Sequence, residues 1–385
     1  MKLVNLDNVI ENKSEKSFYK KVIAKIVGYL ENNGRASLSE ILRFVEGGDR
    51  RTLRLLNEMV MANLIKFKNN YFYPSKKKRY KLTSQNAACS WCQGKIINQQ
   101  SRQFLYLKRI MQKIYSLRPT PTFIFDQRPI TLETTLNRAF YLAWRGDLQS
   151  KRIVLIGDDD LTSLALSFLN LAKEIVVFEI DKRFVRFLRE QSAKYYLKMR
   201  VVEKDVLSGI STKYRHRFDI FLADPTPTTA PFTAFVNAGV KLLKKGEGRV
   251  GYLSFLPSCM DKSIDLQRVL TQMNLLITDS IPFFTEYEVI KKTYSIRDLK
   301  LLKQYVRRPL KTAFYEYLVR VETTPQTKIK PLTIRLKDIF GRATKRVLQD
   351  LSKDPAADPG LSMNNYLAQT VRRLTKEQNR KIKFK

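Results

Sequence analysis

Between residues 150 and 255 the chain repeats one pattern: a short apolar run, a polar turn, then a stretch whose apolar positions recur every three or four residues. The apolar runs, residues 152–156, 174–178, 200–203, 218–223 and 249–255, are short and rich in Ile, Val and Phe, and they predict strands. The periodic stretches 161–170, 183–198 and 231–243 predict helices. Strands alternating with helices define an α/β fold, a Rossmann-like, doubly wound, parallel sheet that holds its ligand at the carboxyl ends of the strands.

The amino-terminal part has a different rhythm. An amphipathic stretch over residues 16–32 ends at Asn33-Gly34, which tolerate the left-handed conformation. Ser37-Leu38-Ser39-Glu40 opens a short second helix that stops at Gly47-Gly48. Asp49 caps a third, in which Leu53, Leu56 and Val60 share a face while Arg50, Arg51 and Arg54 point elsewhere. Two β-prone runs, 64–68 and 71–73, flank the hairpin pair Asn69-Asn70. This order predicts an N-terminal winged helix over residues 1–80, with Arg50, Arg51 and Arg54 as candidate nucleic-acid contacts. The same module also serves protein–protein contacts.

Residues 81–128 read as a basic linker with a connecting helix over 99–117, entered through Lys76, Lys77, Lys78 and Arg79. The linker contains Cys89-Ser90-Trp91-Cys92, half of a zinc-knuckle pattern. Structural zinc takes four ligands, no second such pair exists, and Cys259 and His216 are far away in sequence, so no metal is expected within one subunit, and a remnant knuckle and a site shared across a dimer are the readings left open. Residues 323–385 form a basic helical C-terminal appendix. Its Arg372, Arg373, Arg380, Lys381 and Lys383 are further candidate phosphate contacts.

Of the 385 residues, 44% are apolar and 28% charged, as in a globular protein. The apolar runs are too short to span a bilayer, and the amino terminus has no signal-peptide core, so a cytoplasmic protein without a membrane partner is expected. Three cysteines imply no disulfide framework. The net charge of +35 points to affinity for polyanions, above all nucleic acid, and says nothing about fold.

The chemistry gathers at the strand ends. Residues 152–156 run into Gly157, Asp158, Asp159 and Asp160, where nucleotide-binding folds carry glycine-rich loops whose N–H groups approach a pyrophosphate. Three carboxylates repel phosphate and attract a cation, so a positively charged nucleoside is the expected ligand. Aspartate is also favoured at helix starts, which accounts for one or two of the three. The series continues with Glu179 and Asp181, then Asp205, then Asp224. Glu179 lies about 20 residues after Gly157, the spacing at which a carboxylate accepts from both ribose hydroxyls, and Asp205 could accept from an adenine amino group.

The segments Asp126-Gln127-Arg128-Pro129, Glu133-Thr134-Thr135, Arg145-Gly146-Asp147-Leu148 and Gly157-Asp158-Asp159-Asp160-Leu161-Thr162-Ser163 resemble the branched-chain polyamine synthases of thermophilic archaea and bacteria, the N4-bis(aminopropyl)spermidine synthases. The resemblance covers roughly residues 16–322. It implies that residues 129–322 are an aminopropyltransferase-type domain. This would move the aminopropyl group of decarboxylated S-adenosylmethionine to a secondary amine of spermidine, giving branched polyamines, in a thermophile and as a homodimer. The charges fit, since that co-substrate carries a sulfonium and an ammonium and spermidine is a trication. On this reading Asp159 orients the attacking amine, with Asp158, Asp160 and Asp224 as the other catalytic acids. Gly157, Glu179, Asp181 and Asp205 hold the nucleoside.

The resemblance breaks at two places. The family's Asp-Pro-Pro-x-Thr reads Asp224-Pro225-Thr226-Pro227-Thr228, and Pro227 removes a backbone donor and fixes φ. The family's Asn-Glu-Tyr-x-x-Trp reads Thr285-Glu286-Tyr287-Glu288-Val289-Ile290. A second reading is therefore a paralogue with altered or lost catalysis that binds RNA or the ribosome through its basic surface.

Overall fold

The computed structural model describes residues 4, 16–45, 49–75, 95–122, 125, 127–206, 209–225, 229–255, 264–289, 296–306 and 310–330. The candidate residues Lys76, Lys77, Lys78, Arg79, Cys89, Cys92, Asp126, Thr226, Pro227, Thr228, Cys259 and the appendix arginines and lysines lie outside the described residues.

Three helices open the chain: α1 (Lys16–Asn33), α2 (Leu38–Phe44) and α3 (Asp49–Met61). Ser37 and Glu40 form a capping box on α2, the Ser37 N–H donating to Glu40 Oε2 at 2.7 Å. Strands β1 (Ile65–Lys68) and β2 (Tyr71–Pro74) pair antiparallel. Asn69 and Asn70 turn between them with φ of 51° and 65°, the left-handed pair that a two-residue hairpin of this hand needs. Ala36 adds a single bridge to Phe72.

Next come α4 (Arg102–Tyr115), α5 (Leu132–Trp144), β3 (Arg152–Ile156), α6 (Thr162–Leu169), β4 (Glu174–Glu179), α7 (Lys182–Lys194) and β5 (Met199–Glu203). They are followed by β6 (Ile220–Ala223), α8 (Thr229–Leu242), β7 (Val250–Phe255), α9 (Ile264–Gln272), β8 (Leu275–Glu288), α10 (Ile296–Tyr305) and β9 (Thr312–Thr323). The sheet order is β5-β4-β3-β6-β7-β9-β8. Strands β5 to β7 pair in parallel, as expected, but β9 runs antiparallel between β7 and β8, so the sheet is mixed. Register shifts at Ile277/Asp279 and Ile281/Thr285 break the two-residue period of β8, which hid it in the sequence.

Alternate residues of the strands feed two cores. Ile153, Leu155, Ile175 and Val177 face α4 to α7, while Val154, Ile156, Val176 and Phe178 belong with α8 and α9. The helix expected as a connector is thus part of the α/β body, since Phe104, Leu107, Met111 and Ile114 of α4 are buried in it. On the other face the Phe221 ring lies between Gly239 and Gly251, where a methyl on either glycine would overlap it. No described helix is long and apolar enough to cross a membrane.

Helix α10 was not foreseen either. Its Leu301 and Tyr305 complete the core of the amino-terminal helices, the Tyr305 ring meeting Phe67 edge-on at 4.7 Å. Arg54 of α3 donates to both oxygens of Asp298, at 2.7 and 2.8 Å, and Asp298 is fully buried. Of the nucleic-acid candidates, Arg54 is thereby held by a carboxylate of α10. Arg50 is exposed and Arg51 half-buried.

Candidate active site

The chain crosses from β5 to β6 on the opposite side of β3, so the carboxyl ends of β3 and β6 flank a topological switch point. After β3 the backbone turns on two left-handed residues, Gly157 with φ 77° and Leu161 with φ 58°. Leu161 is fully buried, and its conformation is strained for a branched side chain. Between them stand the three aspartates, and each has a different environment.

Asp158 is buried and does the capping. Both its oxygens accept from the Ser163 N–H at 3.2 Å, and the Ser163 hydroxyl donates to it as well. Asp160 is buried on the guanidinium of Arg138, whose Nη1 donates to its Oδ2 at 2.7 Å. Asp159 is half-buried and accepts no hydrogen bond among the described residues. Burial raises all three carboxyls above the ordinary range. The neighbouring acids Asp160 and Glu179 push Asp159 further. Arg138 opposes the shift of Asp160, which is pushed up to about 7.

Arg138 reaches this place because α5 packs along the sheet with a polar buried side: Thr134, Thr135, Asn137 and Arg138 are all inside. Thr135 donates to the Asp160 carbonyl at 2.9 Å. Nη2 of Arg138 donates to Asp224 Oδ2 at 2.7 Å, to Ser254 Oγ at 2.7 Å and to Thr285 Oγ1 at 3.3 Å. One guanidinium thus ties the loop after β3 to the loop after β6. On the far side of Asp224 the Tyr287 hydroxyl lies 2.8 Å from each carboxylate oxygen and 3.0 Å from the buried Glu316. The Tyr287 ring is held by stacking on Phe314, 4.4 Å between centroids.

Glu179 ends β4 beside this cluster. It accepts from the N–H groups of Asp158 at 2.9 Å and of Ile180 and Asp181 at 2.8 Å. Burial raises its pKa against the effect of those bonds. Asp181 follows two residues on. It caps α7 by accepting from the Arg183 N–H at 2.9 Å, is paired to the Arg183 Nη2 at 2.6 Å, and accepts from Gln127 Nε2 at 3.0 Å. Its carboxylate thus ties the start of a helix to the segment before α5. Asp205 is half-buried just past β5. His216 Nδ1 lies 3.1 Å from the Leu243 carbonyl oxygen.

Arg138, Tyr287, Ser254 and Glu316 were not among the sequence candidates. Thr131 as a cap, with Leu132, Leu136, Ala139 and Leu142 behind it, could have revealed α5 and with it Arg138. A seven-stranded sheet in this order, with one reversed strand and acids at its carboxyl ends, defines an α/β protein of the methyltransferase-like class.

Within that class the chain belongs to the branched-chain polyamine synthase family. Residues 107–340 match the branched-chain polyamine synthase A C-terminal domain. The N(4)-bis(aminopropyl)spermidine synthase of Methanocaldococcus jannaschii is 31% identical over 311 residues, 80% of this chain and 81% of that protein. The enzyme of that name from Thermococcus kodakarensis is 30% identical over 337 residues, 83% of this chain and 93% of its own. The fold is also that of the Thermus thermophilus branched-chain polyamine synthase, solved with N4-aminopropylspermidine and 5'-methylthioadenosine. The TM-score is 0.67 at 24% identity, over 86% of this chain and 97% of that one.

Proposed function

We propose that this chain transfers the aminopropyl group of decarboxylated S-adenosylmethionine to a secondary amine of spermidine, giving branched polyamines. The observation that carries the proposal is the acid cluster at the switch point, Asp158 and Asp160 buried and Asp159 and Asp224 half-buried, in which Asp159 has no donor among the described residues. A cationic nucleoside and a polyamine both match such a site, and a ligand bearing a carboxylate does not.

In this reading Glu179 faces the ribose and Asp205 the adenine, while Asp159 holds the attacking amine. The acceptor nitrogen must first lose its proton. An ordinary aspartate, with a pKa of about 3.9, is a weak base for an amine. Burial makes Asp159 more basic and suits it better to orient the neutral nitrogen and to take up charge that develops on it. The nitrogen lone pair then attacks the methylene next to the sulfonium. The carbon–sulfur bond breaks with its electron pair left on sulfur, and 5'-methylthioadenosine departs. The new carbon–nitrogen bond leaves a cation beside Asp159 and Asp160. Positioning supplies much of the rate in such a displacement. Residues 16–75 would be a winged helix, a reading supported by three helices, a hairpin and the Ala36–Phe72 bridge.

The test is a transfer assay at high temperature with decarboxylated S-adenosylmethionine and spermidine, read by mass spectrometry. The expected products are N4-aminopropylspermidine and 5'-methylthioadenosine in equal amounts. Asp159→Asn should lower turnover by about 10²–10³-fold, the range for losing one electrostatic group at the reacting centre, with the fold intact. Folded wild-type protein that makes no branched product would overturn the proposal.

A further inference from the structure

The two ends of the sheet carry opposite charge. The acids of the candidate site stand at the carboxyl ends of β3, β4 and β6. The amino ends of the same strands, about 13–20 Å away at about 3.3 Å per residue, are lined with cations. Lys198 leads into β5, Lys173 into β4, Lys151 into β3, and Lys245 stands in the turn before β7. These four have no carboxylate partner among the described residues, and Lys173, Lys198 and Lys245 are exposed. The acids of this face are engaged already. Glu174 meets Arg152 at 3.6 Å and Arg217 at 2.7 Å, and Asp219 meets Lys244 at 2.6 Å and Arg249 at 3.3 Å.

The segments that carry these residues are fixed side by side. The Lys173 N–H donates to the Lys151 carbonyl and the Asp219 N–H to the Arg152 carbonyl, both at 2.8 Å. Neighbouring strands lie about 4.8 Å apart, so the row from β5 through β4, β3 and β6 to β7 runs about 19 Å. Helices α6, α7 and α8 end on this face, and their carbonyl ends offset only about half a charge each.

An aromatic ring closes the row. Tyr196, between α7 and β5, is 93% exposed on a left-handed backbone, φ 53°, with Lys194, Lys198 and Arg200 exposed around it. An open groove of about 580 Å³, lined by Arg189, Ser192, Tyr196, Met199 and Arg200 among others, lies against the ring. Spaced cations ending at an exposed ring match one polynucleotide strand, whose phosphates take the cations while a base stacks on the ring. We propose that the face from Tyr196 and Lys198 across to Lys245 binds single-stranded nucleic acid. It does not rest on the aminopropyl-transfer reading. The acids at the other end of the sheet lie beyond the screening length of about 8 Å at physiological salt, so a polyanion here and a polycation there bind without interfering.

The experiment is fluorescence anisotropy of a labelled oligouridylate of about 12 nucleotides, within the site sizes of single-strand binders. It is titrated with the full chain across a salt series, with melting temperature as the control for folding. In Lys173→Gln/Lys198→Gln/Lys245→Gln the slope of log affinity against log salt should become shallower by about two, at about 0.7 per phosphate contact on a single strand. Lys113→Gln/Lys300→Gln/Lys303→Gln removes the same charge from exposed positions on α4 and α10 and should leave the slope unchanged. Tyr196→Ala should weaken oligouridylate binding at least about fivefold at an unchanged slope, the lower limit for loss of one stacked base. A duplex of the same length keeps its bases paired and should not respond to Tyr196→Ala. Equal effects of the two triple variants would mean diffuse attraction by net charge and would overturn the proposal. So would an oligouridylate affinity indifferent to Tyr196→Ala. Vesicles of anionic phospholipid that lose affinity in the first triple variant, while oligouridylate does not, would make the face a membrane contact and overturn it as well.

Discussion

Arg320 of β9 meets Asp147, in the turn after α5, through Nε–Oδ2 and Nη2–Oδ1 contacts of 2.8 and 3.1 Å, both side chains being buried. The Tyr252 hydroxyl of β7 donates to the same carboxylate. Three separate parts of the chain are thus joined at the reversed strand. A buried pair that loses one member strands a charge without solvent, at about 3–5 kcal/mol. Arg320→Met should therefore lower the unfolding free energy by about that amount. Chemical denaturation measures it, and a change below about 1 kcal/mol, the level of an exposed pair, would show that Asp147 finds another partner.

Glu179 satisfies three backbone N–H groups at once, on Asp158, Ile180 and Asp181. Glutamine offers one acceptor oxygen and turns an amide donor toward at least one of those N–H groups. Glu179→Gln should be less stable by about 1–3 kcal/mol, the range for a buried donor left unsatisfied. It should also bind 5'-methylthioadenosine more weakly, since the loop that carries Asp158 loses its anchor. Denaturation and calorimetric titration would be run on the same preparation. Full stability with undiminished nucleoside affinity would show that Glu179 neither anchors the loop nor holds the nucleoside.

Strands β3, β4, β6 and β7 could be read directly because each is a short apolar run buried on both faces. The acids could be read because they follow those runs immediately. What stayed hidden depends on long-range contact or on irregularity. Arg138 meets Asp224 across 86 positions and Thr285 across 147, and no spacing rule reaches that far. Strand β8 carries register shifts that erase its alternation, and α5 hides polar residues inside. Asp181 shows another ambiguity: an aspartate just before a helix has the same sequence signature as a ligand and as a cap, and its bonds to Arg183 and Gln127 are those of a cap.

Arg54 separates stability from nucleic-acid affinity. Its guanidinium is engaged by Asp298, which is fully buried. Arg54→Met should destabilise the chain by about 1–3 kcal/mol, since it takes a charged donor from a buried carboxylate. It should leave the slope of log affinity for a polynucleotide against log salt unchanged. A true phosphate contact would reduce that slope by about one on removal. Filter binding across a salt series decides between them, and a slope reduced by about one would make Arg54 a nucleic-acid contact.

The acid cluster also fixes the pH dependence of the empty protein. Burial, opposed by Arg138, pushes Asp160 from its ordinary 3.8 up to about 7. Asp158, Asp159 and Glu179 are raised as well, chiefly by burial. A carboxyl whose pKa is higher folded than unfolded keeps in the native state a proton that the unfolded chain releases. Its contribution is complete below about pH 4 and is lost as the pH rises through about 7. Asp181, Asp219 and Glu133 are shifted down despite burial, by Arg183, Lys244 and Lys108 respectively. Their contribution is present above their ordinary values and is lost only as the pH falls through the lowered ones, a separate and more acidic window. The melting temperature of the ligand-free protein should accordingly fall between about pH 4 and pH 7, and spermidine should bind more tightly over the same interval as the acids ionise. Asp160→Asn removes one titrating group and should flatten both trends. Melting curves and calorimetric titrations at matched ionic strength test this, and an unchanged slope in Asp160→Asn would assign the titration to Asp158, Asp159 or Glu179 instead.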